Sequence, residues 1–230
     1  ESKIKNEKWS PAAVLGDLEQ KGWPFATRIC FKTLYNYIDR DLFLGISNKD
    51  LLQKKKAAKQ AVRKVRKVAW NNRAGKSIEE RPEQVNQRKE FGHWEIDLVV
   101  GRQRSKPVIL TLVERQTRKS IYVLVKNKTQ KEVLQAVRRA HRRVKGDFTQ
   151  VFKSITADNG SEFLDSKGLQ KAAKCDEVYY AHPFSSWERG SNENGNRILR
   201  RFLPKGTDFS TLKPRDLKRI EDWVNNYPRK

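Results

Sequence analysis

The chain has 230 residues, enough for one mid-sized domain and a smaller one. It carries 50 Lys and Arg residues against 27 Asp and Glu residues, and this formal charge of +23 favours a polyanionic partner because it repels itself in a compact chain. Nucleic acid is the first candidate partner and an anionic membrane surface the second. No apolar run reaches the roughly 18 residues of a membrane-spanning helix. Residues 1–10 are polar and do not follow a signal-peptide pattern, so we expect an intracellular protein.

The two cysteines, Cys30 and Cys175, lie far apart in sequence. Neither belongs to a Cys-x-x-Cys pair, so no structural zinc site is expected. A disulfide between them stays open as an alternative that an intracellular setting disfavours. The chain begins without Met and stops at residues 227–230 without a terminal cap, and we interpret it as a fragment of a longer protein.

Residues 1–52 predict a small helical unit. Ser10 as the N-cap and Pro11 at the first helical position begin a helix that ends at Lys21-Gly22. A second helix is expected from Phe31 to Asp39, with a basic, amide-bearing outer face. Such a pair fits a helix-turn-helix unit that reads DNA, and a helical pair that only packs on its neighbour is the alternative. The side chains predicted to contact DNA are Lys32, Thr33 and Asn36.

Residues 53–90 form a basic connector with no acidic residue before Glu79. Such a run is usually a solvated face or a flexible tether. Here it joins two candidate DNA-binding units, so we predict that it contacts phosphates and becomes irregular beyond Pro82. The side chains predicted to contact phosphate are Lys55, Lys59, Arg63 and Arg66.

Residues 91–230 predict the large domain. Three strands, at 94–100, 107–113 and 120–125, are separated by short polar segments that are typical of an antiparallel meander. The later elements are a helix at 129–145 capped by Thr129, a strand at 151–157, a helix at 163–174, a strand at 177–181 and a helix at 189–202. This order predicts an α/β fold with a ribonuclease H-like mixed sheet flanked by helices, preceded by the helix-turn-helix domain.

Three carboxylates are candidates for one metal site. Asp97 lies midway along the first strand, Asp158 follows the fourth strand, and Glu193 lies on the last helix. The first and fourth strands can lie side by side, and ligand sites in α/β sheets favour strand ends. Converging carboxylates need a cation between them, and oxygen ligands select Mg²⁺ or Mn²⁺. Two such ions about 3.5–4 Å apart support an in-line phosphoryl transfer.

Each carboxylate also has an ordinary explanation. Asp is disfavoured inside strands, which makes Asp97 the strongest candidate on physical grounds. Asp158 in Asp-Asn-Gly also suits a plain turn, and Glu193 also suits a helix surface. Arg197 and Arg200 follow Glu193 at i+4 and i+7, where they can line DNA phosphates or form simple ion pairs. Lys205 extends this positive track.

Other polar residues flank the candidate site. Glu95 shares the strand face of the first aspartate and is either an auxiliary ligand or, as we favour, a structural partner. His93 and His182 can contact phosphate or assist proton transfer, although structural hydrogen bonds are favoured. The loop that carries Trp187 and Arg189 can contact DNA ends, with simple packing of Trp187 as the alternative.

Several motifs in this order carry a family resemblance. They are Lys-Thr-Leu-Tyr-Asn-Tyr-Ile at 32–38, Phe-Gly-His-Trp-Glu-Ile-Asp at 91–97, Asp-Asn-Gly-Ser-Glu-Phe at 158–163, the stretch from Pro183 to Asn194, and that from Arg200 to Phe209. The chain resembles, from about Trp9 to Lys230, the DDE transposases of the bacterial insertion-sequence family IS-thirty. This resemblance implies a ribonuclease H-like domain, Mg²⁺ dependence, and a catalytic and metal-binding triad of Asp97, Asp158 and Glu193.

The resemblance also implies the reaction and its setting. A transposase of this family cleaves at the inverted-repeat ends of its element and joins the 3′-hydroxyl to target DNA. Double-stranded DNA is then the partner. Because the reaction joins two DNA ends, we expect at least a dimer on DNA, and we expect a cytoplasmic protein associated with the bacterial nucleoid. The family usually has another helix-turn-helix before residue 1 and a short tail after residue 230. A DNA-binding repressor derived from a transposase, without catalysis, is the alternative function. Another nuclease of the same fold is a third, which the helix-turn-helix unit disfavours.

Overall fold

The structure is a computed structural model that describes residues 1–51, 75–103, 105–144, 151–182 and 185–228, without the side chains of Ser186 and Trp187. The chain divides into two compact units, Glu1–Arg66 with Asn226–Lys230 and Lys67–Asn225. No helix in the described ranges is long and apolar enough to cross a membrane. The predicted phosphate contacts of the connector, which involve Lys55, Lys59, Arg63 and Arg66, lie outside the described residues.

The smaller unit contains three α-helices in its described part: α1 (Ser2–Lys5), α2 (Pro11–Lys21) and α3 (Phe31–Asp39). As predicted, Ser10 caps α2, and its Oγ accepts the N–H of Ala13 at 3.2 Å. The range of α3 agrees with the prediction. The core of this unit joins Ile4 of α1 and Ile38 of α3 with Ile46 and Leu51, which follow α3 in the chain.

The larger unit is built on a six-stranded sheet with the strand order β1-β6-β5-β2-β3-β4. The strands are β1 (Lys76–Ser77), β2 (His93–Val100), β3 (Val108–Glu114), β4 (Ser120–Val125), β5 (Ser154–Ala157) and β6 (Glu177–Tyr180). β2, β3 and β4 form the expected antiparallel meander, and β5 pairs with β2 in parallel. The mixed sheet and the juxtaposition of the first and fourth predicted strands are confirmed.

Helices cover both faces of this sheet. They are α4 (Glu83–Asn86), α5 (Gln130–Arg143), α6 (Ser166–Ala173), α7 (Gly190–Leu199) and α8 (Pro214–Asn226). Side chains alternate along β2, so Trp94, Ile96 and Leu98 pack in one cluster with α5 and α6. Val99 packs on the opposite face with α7 and α8. That opposite face also carries Glu95 and Asp97, which puts them under α7.

Four elements differ from the sequence prediction. The helix expected at 163–174 begins at Ser166, because Asp165 accepts the N–H of Gly168 at 2.8 Å and sets the N-cap there. The irregular chain expected beyond Pro82 is wrong, since α4 follows that proline directly. Part of the predicted connector is also folded, because β1 pairs in parallel with β6. Helix α8 was not predicted, and it covers the sheet through Leu217 and Val224.

Candidate active site

Asp97 lies in the middle of β2 on the face that α7 covers. One of its oxygens, Oδ2, accepts a 2.6 Å hydrogen bond from Nδ2 of Asn196. Burial raises the pKa of the Asp97 carboxyl; the positive charge of Arg189 opposes this rise, and the negative charge of Asp158 adds to it. Asp97 and Asp158 are therefore close enough to interact electrostatically, although 61 positions separate them in the chain.

Asp158 follows the last residue of β5, where the chain turns. Its Oδ1 accepts the N–H of Gly160 at 3.0 Å, and Nδ2 of Asn159 donates to the carbonyl of Ala181 at 2.6 Å. A side chain at Gly160 would collide with the carboxyl groups of Asp158 and Glu162, which lie within 2.9 Å of the position of a Cβ. The Asp-Asn-Gly sequence is thus a turn, as its composition indicates, and this turn also aims a carboxylate at β2.

Arg189 lies between the two aspartates. Its Nη2 is 3.2 Å from Oδ2 of Asp158, and its Nη1 is 3.5 Å from Oδ1 of Asp97. Nη1 also donates to the carbonyl of Ile96 at 3.3 Å. The sequence predicted a DNA contact for this arginine, and in the structure its guanidinium neutralises the two candidate ligands.

Glu193 is exposed in the first turn of α7. It shares with Asp97, Arg189, Asn192 and Asn196 a cavity of about 160 Å³. The structure therefore joins Asp97 to Asp158 through Arg189, and Asp97 to Glu193 through this cavity. Within the described ranges, no three His, Cys, Asp or Glu side chains are grouped closely enough to hold a metal ion.

The donor chemistry of this site fits a hard divalent cation. Carboxylate and amide oxygens are the ligands that Mg²⁺ and Mn²⁺ take. A positive group already lies between Asp97 and Asp158, which is where their mutual repulsion favours a cation. The three carboxylates do not form a complete ligand set with Arg189 in this position.

Basic side chains line a second, larger cavity beside Glu193. It has a volume of about 630 Å³, and its lining includes Arg197, Arg200 and Lys205. Arg197 is exposed and donates to Oδ1 of Asn194 at 2.7 Å. Arg200 instead binds the backbone, since its Nη2 donates to the carbonyl of Val100 at 2.7 Å, and burial lowers its pKa. Arg200 thus ties the end of α7 to β2.

Glu95 is fully buried beside the site and has structural partners, which confirms the favoured interpretation. It forms an ion pair with Arg115, and its Oε2 accepts the N–H of Asn192 at 2.8 Å. Asn192, Asn196 and Thr111, which contact these carboxylates or one another, were not predicted as site residues. A signal was available in the two asparagines four positions apart on one helix.

The two flanking histidines have hydrogen-bonded partners. Nδ1 of buried His93 is 2.8 Å from Oγ of Ser154, and its Nε2 is 3.0 Å from Glu90, so the structural interpretation is confirmed. Nδ1 of His182 is 2.8 Å from Glu188, which raises the pKa of this histidine. The side chain of Trp187 lies outside the described part of the structure.

In the smaller unit, Lys32 and Asn36 are exposed on α3, and Thr33 is half-buried. The hydroxyl of Thr33 lies 3.4 Å from Sγ of Cys30. Cys30 and Cys175 are both free thiols, so the disulfide alternative is wrong.

Proteins similar to this chain include several transposases. The integrase core domain family matches residues 87–184. The chain is 42% identical over 200 residues to a probable transposase of the insertion-like element IS1161 from Streptococcus salivarius. This match covers 86% of this chain and 54% of that protein. The chain is 31% identical over 233 residues to the transposase of IS4351 from Bacteroides fragilis, which covers 99% of this chain and 67% of that protein.

A third relative is the transposase InsI of IS30A from Escherichia coli strain K12, 31% identical over 236 residues, which covers 97% of this chain and 58% of that protein. The chain thus spans between about half and two thirds of the length of these relatives. The last two matches cover 97% or more of this chain and therefore extend through both units. The chain belongs to the IS30 (IS-thirty) family of DDE transposases, and its larger unit has the ribonuclease H-like fold of an integrase core.

Proposed function

We propose that this chain carries the catalytic part of a DNA transposase, which cleaves the inverted-repeat ends of an insertion sequence and joins the 3′-hydroxyl to target DNA. One observation carries the proposal: Asp97, Asp158 and Glu193 lie on three separate elements, β2, the end of β5 and α7, that meet around Arg189 and one cavity. The names of the similar proteins support the same reaction class.

In the proposed site, Asp97, Asp158 and Glu193 are the metal-binding and catalytic carboxylates. Mg²⁺ or Mn²⁺, when bound, supplies the positive charge that activates the attacking oxygen and stabilises the leaving oxygen. Asn196 orients the carboxylate of Asp97 through its 2.6 Å hydrogen bond. Arg189 neutralises the two aspartates through its contacts with both carboxylates.

We propose that DNA lies along the positively charged cavity next to Glu193. Arg197 and Lys205 line this cavity and are exposed, so they can bind phosphates as charged donors. Residues 1–52 would read DNA through Lys32 and Asn36 on the exposed face of α3. Because the reaction joins two ends, we also propose a dimer or higher assembly on double-stranded DNA.

A repressor without catalysis is the second candidate. One observation favours it: within the described ranges, the carboxylates are not grouped as a metal site, and Arg189 is bound to two of them. Such a protein would keep the helical DNA-binding unit and its strongly positive charge.

The experiment uses the full-length protein with DNA ends of its own element and Mg²⁺. We expect wild type to nick and join these ends, and each of Asp97→Asn, Asp158→Asn and Glu193→Gln to lose about a thousandfold or more in rate. Asp222→Asn, on the exposed side of α8, is the matched control and should keep wild-type activity. Joining that persists in Asp158→Asn would contradict the triad. Tight binding to DNA without any cleavage by wild type would favour the repressor.

A further inference from the structure

We propose that Glu95 is a positioning residue, which holds the first turn of α7 against β2 and thereby sets Glu193 opposite Asp97. The inference rests on the proposed function, because it concerns the site in which Glu193 would bind metal. Glu95 would act through the helix and would touch neither the metal nor DNA.

Glu95 and Arg115 form a buried salt bridge between β2 and the end of β3. The side chain of Glu95 is 0% exposed and that of Arg115 is 5% exposed. The Arg115 guanidinium also donates to the carbonyl of Val85 at 3.3 Å. A buried ion pair of this kind is weak evidence for stability, since apolar residues of similar volume often replace it without loss. Stability alone therefore does not explain why Glu95 and Arg115 are buried together.

That explanation lies in the other carboxylate oxygen. Oε2 of Glu95 accepts the N–H of Asn192, 2.8 Å away, in the first turn of α7. The first N–H groups of a helix have no partner within the helix, and they form the positive end of its dipole. Glu95 therefore caps α7 from the sheet. Glu193 is the next residue along, so its backbone is fixed by this contact.

A second contact lies one helical turn further along. Asn196 donates to Oδ2 of Asp97 at 2.6 Å. The Thr111 hydroxyl of β3 lies 3.2 Å from the amide oxygen of Asn192 and 3.1 Å from that of Asn196. Asn192 and Asn196 are four residues apart, which is about one helical turn. Their contacts therefore determine how α7 is rotated about its axis and how far it lies from the sheet. Without Glu95, the backbone N–H of Asn192 would lose its acceptor, and the contact of Thr111 with the Asn192 side chain would remain in this turn.

Glu114 provides a matched control. It is also a fully buried carboxylate and lies on the adjacent strand β3. Its oxygens accept the N–H of Gly92 at 3.2 Å and that of Thr117 at 2.6 Å. These contacts hold loops at the end of the sheet and do not involve α7. Glu114→Gln therefore disturbs a buried carboxylate without loosening Glu193.

The test compares Glu95→Gln, the double variant Glu95→Met with Arg115→Met, and Glu114→Gln in the full chain. Hydrogen exchange of the Asn192–Asn196 amides is measured without metal, Mn²⁺ binding is measured by calorimetry, and nicking is measured against Mn²⁺ and DNA concentration. We expect the double variant to stay folded, to exchange at least about tenfold faster in this turn and to need roughly tenfold more Mn²⁺, with an unchanged KM for DNA. Glu95→Gln keeps an acceptor for Asn192 and should fall between it and wild type.

Glu114→Gln should lower the melting temperature and leave exchange in α7 and the Mn²⁺ requirement unchanged. A folded double variant with wild-type exchange at residues 192–196 and a wild-type Mn²⁺ requirement would overturn the role of Glu95. If wild type neither binds Mn²⁺ nor cuts DNA, the proposed function fails. In that case the exchange measurement still decides whether Glu95 holds α7.

Discussion

Arg189 reaches Asp158 across the candidate site, with its Nη2 3.2 Å from Oδ2 of the carboxylate. The same guanidinium lies 3.5 Å from Asp97 on the neighbouring strand, and the arginine side chain is only 15% exposed. Two aspartates of different strands thus share one positive charge. Their mutual repulsion is reduced by Arg189, which precedes Glu193 by four residues in the chain.

The first prediction concerns this arginine. Arg189→Gln removes the shared charge, and we expect the free energy of unfolding without metal to fall by about 1–2 kcal/mol, because the partners are only partly buried. Saturating Mg²⁺ should reduce this loss by neutralising the same carboxylates. Urea unfolding with EDTA and with Mg²⁺ measures both values. Arg197→Gln, on the exposed face of α7, is the control, and equal losses in the two variants would contradict the prediction.

The second prediction is a pH dependence at His182. The hydrogen bond to Glu188 raises the pKa of His182 above its ordinary value of 6.5, and the charges of Glu188 and Glu79 add to this rise. The folded state therefore favours the protonated imidazole, so this stabilisation is present in full below pH 6.5 and is lost as the pH rises through the raised pKa.

Melting temperatures measured between about pH 5.5 and 8.5 check this expectation, since His is the side chain that titrates there. Wild type should lose stability across the upper part of this range relative to His182→Gln. Parallel curves for the two proteins would show that the contact with Glu188 does not depend on the proton.

The third prediction concerns the outer edge of β4. Glu221 of α8 is buried, and its Oε2 accepts the N–H of Tyr122 at 2.7 Å. It also pairs with Arg143 of α5 at 2.5 Å. Glu221→Ala leaves a buried N–H and a cation without their acceptor, so we expect the free energy of unfolding to fall by about 2–4 kcal/mol.

Asp222→Ala is the control for this variant, because Asp222 is exposed and pairs with Lys218 on the surface. Its loss should stay within about 0.5 kcal/mol. Urea unfolding measures both variants. Similar small losses in the two would mean that water replaces Glu221 at the strand edge.

The fourth prediction tests how closely α7 approaches the sheet. A Cβ at Gly195 would lie 3.0 Å from Cγ2 of Val113, which is buried in β3. Alanine gains about 1 kcal/mol of helix propensity, whereas overpacking costs about 1–3 kcal/mol, so we expect Gly195→Ala to be destabilising by about 1 kcal/mol. Adding Val113→Ala should relieve the collision, and a double-mutant cycle should report coupling between the two sites. Strictly additive losses would contradict the close approach.

Local patterns predicted most elements of the fold. The strand at Ser120–Val125 and the helix at Phe31–Asp39 agree with their predicted ranges because the periodicity of apolar side chains reports which face is buried. Thr129 caps α5 as predicted, since a cap acts on the backbone only three residues away. Leu217, Ile220 and Val224 of α8 recur at helical spacing, which indicates a helix. The local sequence does not indicate that this helix covers an edge strand.

The residue types at the site can be read from the chain directly. So can the shared strand face of Glu95 and Asp97, because side chains alternate along any strand. The position of Arg189 between Asp97 and Asp158, and the hydrogen bond of Asn192 to Glu95, become visible in the folded chain alone. These contacts join residues far apart in the chain. Their formation depends on how β2, β5 and α7 pack together, and local propensity does not specify this packing.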